Sequence, residues 1–257
     1  MRTPPFLRGI RAALVFLTRI PVGGFPYSKD DWRWSSAHFP VAGFVVGLTM
    51  AAAWELTHRA GHLVASAIAI IVGMLVTGAF HEDGLADTAD ALGGAFDREK
   101  LFLILKDSRI GSFGGAALFS ILLLRVVLLE RLGDDAPWGL VLVQGLARTP
   151  PIWLMAILPY VTVDDASRSK LVTRARWPQV LVASVWAAVA CALAWLFGGL
   201  RGLEPLWLLI AGAATAMVCG YRFQVRAGGL TGDFLGATEQ LCEVTLMLAL
   251  CLVRAPA

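Results

Sequence analysis

The sequence predicts an all-α fold: a polytopic helical bundle in a membrane, with about seven transmembrane helices preceded by an amphipathic surface helix. Three observations carry this. Hydrophobic residues make up 57% of the 257-residue chain and charged residues 16%, at a mean hydropathy of +0.68, leaving too little polar surface to coat a water-soluble globule. Seven apolar runs approach the roughly 17–25 residues that a helix needs to cross a ~30 Å hydrocarbon core, and they do not alternate, so they read as helices rather than barrel strands. The basic residues also gather on one alternate set of connections, as the positive-inside rule requires.

In chain order, residues 6–19 form the amphipathic segment. Phe6, Ile10, Ala13 and Leu17 share one face, Arg8, Arg11 and Arg19 cluster opposite, and Pro21 stops it. A cleavable signal peptide fits poorly, because the apolar run Ala12–Leu17 is short and Arg19 follows it. Spans are expected near 37–56, 63–80, 112–131, 137–159, 179–198, 204–221 and 238–254; the fourth is interrupted by Arg148, Pro150 and Pro151, and the seventh holds Glu243. Of the 22 Lys and Arg, sixteen fall before the first span or in the second–third, fourth–fifth and sixth–seventh connections, against four in the alternate set. This places the amino terminus inside and the carboxyl terminus outside, in keeping with an odd number of spans. No repeat or linker divides the chain, so residues 1–257 read as one membrane domain whose long, charged loops face the cytoplasm. Cys191, Cys219 and Cys251 lie in apolar runs and Cys242 has no CxxC partner, which argues against a disulfide framework or a zinc site.

The chemistry concentrates where the second span meets the cytoplasmic interface, at "FHEDGLADTADALGG" (Phe80–Gly94). In a helix, 100° per residue brings Asp83, Asp87 and Asp90 within a ~60° arc, with Glu82 about a quarter-turn away and expected to matter less. Carboxylates stacked at these spacings repel and call for a cation. Hard oxygen donors without cysteine suit Mg²⁺ or Mn²⁺, ions that keep waters and share phosphate oxygens with a substrate. His81 and Glu82 do not make a zinc-protease helix, because Leu85 stands where HExxH needs its second histidine.

Two further inside loops add charge and glycine. "KDSRIGSFGG" (Lys106–Gly115) sets Lys106 and Arg109 around Asp107 before a glycine-rich turn, a phosphate-binding environment. "RFQVRAGGLTGDFLGATEQLCE" (Arg222–Glu243) brings Arg222, Arg226, paired glycines and Asp233 to the last span. Within the fourth span, Gln144, Arg148 and Thr149 precede the Pro pair, and an intramembrane arginine faces a bundle interior or cavity. Arg125 asks for no more than snorkelling or a nearby acid. Together these groups suggest metal-dependent transfer of a phosphoryl-linked group, in which positioning and charge stabilisation do most of the work.

With "FLTRIPV" (Phe16–Val22) and "GGLTGDFLGA" (Gly228–Ala237), these motifs make the chain resemble the cobalamin (5′-phosphate) synthase family, the adenosylcobinamide-GDP ribazoletransferases. The resemblance extends over most of the chain and implies a polytopic inner-membrane enzyme with a cytoplasmic active face. It implies Mg²⁺ as cofactor, adenosylcobinamide-GDP and α-ribazole or its 5′-phosphate as substrates, and GMP as the released product. Asp83, Asp87 and Asp90 would hold the metal. Asp107 or Asp233 would serve as base or additional ligand. Lys106, Arg109, Arg148, Arg19 and Gly232 would bind substrate. Partners would be the substrates and the lipid bilayer, with room for a homo-oligomer or other cobalamin-assembly enzymes, and no nucleic acid.

Two rivals remain at this level. A CDP-alcohol phosphotransferase shares the Asp87/Asp90 spacing, but Ala91 replaces the motif's glycine and no AR pair follows. A transporter would place its acids at the bilayer midplane within related repeats, and neither is visible.

Overall fold

The computed structural model describes residues 4–24, 26–161 and 175–254. The expected cytoplasmic residues Arg168, Lys170 and Arg174 lie outside them. Among the described residues the chain is helical, and its one isolated β-bridge joins Tyr160 to Leu230.

Helix α1 (Pro5–Leu17) opens on a proline, whose missing N–H is no loss at a helix start, and ends where Thr18 turns extended. It is shorter than the 6–19 expected, so Arg19 sits beyond its end. Its small residues Gly9, Ala12 and Ala13 are buried, so α1 packs on protein as well as presenting a face outward. The neighbour is α2 (Lys29–Ser35), started by a capping box between Ser28 and Asp31 and tied to α1 by Arg8–Asp31 at 3.3 Å. Then follow α3 (Phe39–Thr57), α4 (His62–Thr77), α5 (Phe80–Gly94), α6 (Arg98–Ile104) and α7 (Ser112–Leu132). The Pro-led α8 (Ala136–Leu146) and α9 (Thr149–Ile157) precede α10 (Trp177–Leu196), α11 (Glu204–Ala227) and α12 (Gly232–Val253).

Five helical stretches are long and apolar enough to cross a membrane, or six if the bent pair α4 and α5 counts as one. The count of seven is not confirmed by length and composition, and two places account for the difference. The third and fourth expected spans fall in a single helical stretch, Ser112–Ile157, of 46 residues, and α4 and α5 meet at 92°, so neither continues the other. Along α12, 67% of the apolar window is buried, against 17% along α10. Helix α12 is thus the axis of the bundle, whereas α10 shows most of its side chains to lipid.

Candidate active site

Helix α5 is placed by what happens at its two ends. Gly78 (φ 71°) and Ala79 (φ 56°) both adopt the left-handed conformation that turns α4 into α5. Ala79 is the one non-glycine residue with positive φ among the described residues, at a cost of about 1–2 kcal/mol that the surrounding packing must offset. Arg19 lies across this bend: its backbone N–H donates to the Val76 carbonyl at 2.8 Å and its guanidinium covers Gly78. At the other end, the Arg226 guanidinium donates to the carbonyls of Leu92 (3.2 Å) and Ala95 (2.5 Å), a cationic cap on a helix C-terminus.

Between those ends the acids divide. Asp83 is exposed and Asp87 half-buried, and neither forms a side-chain hydrogen bond or ion pair among the described residues. Gly84 lets the start of α12 come close, since a Cβ there would lie 2.9 Å from the Asp233 carbonyl oxygen. Asp87 consequently sits within electrostatic reach of Asp83, Asp233 and Asp90. The loop ahead of α12 is held by the short parallel pairing with residues 159–161, in which Leu230 N–H donates to Pro159 at 2.8 Å and Val161 N–H to Leu230 at 2.7 Å.

Asp90 is engaged differently. Its Oδ2 accepts from Gly111 N–H at 2.7 Å and its Oδ1 from Gly114 N–H at 2.8 Å, so it caps the start of α7. A side chain at either glycine would run into this carboxylate. Two of the amides that the sequence offered to phosphate are therefore taken by Asp90. Around them, Asp90, Asp107, Arg109 and Ser112 help line an open cavity of about 400 Å³. Asp107 and Arg109 form a fork there, with Nε–Oδ1 at 2.9 Å and Nη2–Oδ2 at 2.6 Å. The hydrogen-bonding Arg109 guanidinium holds the Asp107 carboxyl down at about 2, so Asp107 is ionised at neutral pH and a weak base. Lys106 is exposed beside them.

No group of three or more His, Cys, Asp or Glu side chains closes into a metal cage among the described residues. A magnesium site does not need one, since this ion usually takes one or two carboxylates and fills its octahedron with water and substrate phosphate. Asp83 and Asp87, hard oxygen donors without a cationic partner, fit that requirement.

The structure also contains a polar core that the sequence reading did not assemble. Arg125, 2% exposed in α7, reaches Glu82 at 3.1 Å, Gln240 at 3.0 Å and Glu243 at 2.7 Å. Arg148, between α8 and α9, reaches Glu239 at 2.8 Å and the Gln144 side chain at 3.0 Å, and His81 Nδ1 lies 3.8 Å from Glu239. Glu82 does point off the aspartate stripe, as expected, and into this core, which gives it a structural place that the stripe alone did not suggest. Arg148 is likewise buried here, apart from Lys106 and Arg109. With Gly232, His81 and Glu239 it lines a small hollow of about 50 Å³ walled by Phe16, Phe39 and Phe80. The available signal was the run of polar residues Glu239, Gln240 and Glu243 inside an apolar helix, which by default faces a bundle interior.

Known proteins resemble the chain in sequence. The sequence profile of the family described as cobalamin-5-phosphate synthase matches residues 9–251. The chain is similar to proteins named adenosylcobinamide-GDP ribazoletransferase. That of Polaromonas sp. (strain JS666 / ATCC BAA-500) is 38% identical, with 95% of this chain and 96% of the relative covered. The Leptothrix cholodnii protein is 37% identical with 92% of each covered, and the Shewanella amazonensis protein 39% identical with 94% of each covered. No solved structure matches the chain.

Proposed function

On the premise that the chain belongs to the cobalamin-5-phosphate synthase family, we propose that it joins adenosylcobinamide-GDP to α-ribazole or its 5′-phosphate and releases GMP. The observation that carries this reading is the meeting of Asp83 and Asp87 with Asp233, next to a basic loop and cavity of matching chemistry. When bound there, Mg²⁺ supplies charge neutralisation for a pyrophosphate. Asp83 and Asp87 would hold it. The ribose hydroxyl of the acceptor forms the new P–O bond to the phosphorus carried by cobinamide, while the P–O bond to GMP breaks and GMP leaves with the electron pair. The hydroxyl proton needs a base. Asp233, which stands beside Asp83 and Asp87, is the proposed base. Arg109 and Lys106 orient the phosphates, and for Arg109 this means exchanging the Asp107 carboxylate for a phosphate oxygen.

The direct test is GMP release by purified protein given both substrates and Mg²⁺. Release of CMP from a CDP-alcohol donor instead, or no nucleotide at all, overturns the reading. A finer test separates phosphate from metal. Lys106→Met and Arg109→Met each remove a charge-assisted hydrogen bond, worth ~1.5–3 kcal/mol, so the KM for the GDP substrate should rise about tenfold or more, with Mg²⁺ dependence little altered. If only the KM for α-ribazole moves, the basic loop belongs to the acceptor.

The reaction is proposed to face the cytoplasm from the inner membrane, in line with the distribution of Lys and Arg. Reporter fusions after residue 110 or 230 should read cytoplasmic, and fusions after 134 periplasmic. The opposite pattern would invert the site.

A further inference from the structure

A cavity of about 520 Å³ lies among α9, α10, α11 and α12, beside the polar core, with Trp153, Ala188, Trp195, Leu209 and Gly212 in its walls. The volume and apolar lining are those of a small-molecule site rather than of a packing defect. Thr149 also stands in the wall, at 2% exposure. One observation says what would fill the cavity. The mouth, at Ala188 and Ala192, is continuous with the faces that α10 and α11 turn to the bilayer, where Leu193, Trp195, Leu206 and Leu209 are each about half exposed. What stands at such a mouth is hydrocarbon.

We propose that this cavity is a lipid site, which takes one acyl chain of a bilayer phospholipid. Thr149 follows Arg148, which pairs with Glu239, so an occupant bears on the same polar core that holds α5. Full-length protein purified in mild detergent would be examined by native mass spectrometry. The wild type should carry one phospholipid per chain. Gly212→Leu fills the cavity from a position where the nearest heavy atom to a new Cβ is Pro150 Cγ at 3.6 Å, so it should fold and reduce the lipid-bound fraction at least tenfold. Cys191, also in the lining, should react faster with a methanethiosulfonate reagent after delipidation. If Gly212→Leu fails to fold, Ala188→Phe at the exposed mouth applies the same block. A wild type without bound lipid, or blocked variants that retain it equally, overturns the proposal. Dimers that dissociate on Gly212→Leu overturn it too, by giving the cavity to a second copy.

Discussion

Asp87→Asn and Asp83→Asn are each expected to lower transfer on the order of 10²–10³-fold, the range seen when one preorganised electrostatic contact to a developing charge is lost. The protein itself should be no less stable. Neither carboxylate forms an ion pair among the described residues, and both stand among like charges, so neutralising one relieves repulsion. Turnover and thermal midpoint measured on the same preparation check both halves. Full activity in these two variants would remove the metal stripe. Asp90→Asn should behave differently: it weakens two charge-assisted bonds to the start of α7, and its melting temperature should fall along with its activity.

Arg125→Met carries the largest expected effect on stability. It would leave Glu82 buried without its cation and Glu243 with only the more distant Arg148 at 3.9 Å, and removing one partner of a buried pair costs about 3–5 kcal/mol. The variant should purify poorly and melt well below wild type. Adding Glu82→Gln and Glu243→Gln to it removes the stranded charges and should recover most of the loss, because such clusters are replaceable as a unit though not piecemeal. A single variant that melts like wild type would mean that the core is not what holds α5, α7 and α12 together.

What the sequence made legible follows from periodicity. Helical spacing put Asp83, Asp87 and Asp90 on one face, and hydropathy located most spans to within a few residues. Pairing between distant helices has no such local signature. Nothing near Asp90 in the sequence says that its oxygens will be spent on Gly111 and Gly114, which makes it a neighbour of the stripe with a second occupation. Arg125 looked incidental because its partners lie 43 and more than a hundred residues away. The span count is least settled where chain direction changes, at the 92° bend and within the 46 residues of Ser112–Ile157, since hydropathy measures polarity and not direction.

The polar core also sets a schedule for making the protein. A charged residue at the centre of a helix raises the free energy of membrane insertion by about 2.5–3.5 kcal/mol, and α7 enters the bilayer with Arg125 while the helix that bears Glu243 has yet to be synthesised. Until then α7 is an awkward guest in lipid, and only Glu82 of the earlier chain can answer its charge. Maturation therefore waits for α12. A chain that ends before Gly232 should be held by the insertion machinery or cleared by membrane proteases, however apolar its remaining helices are.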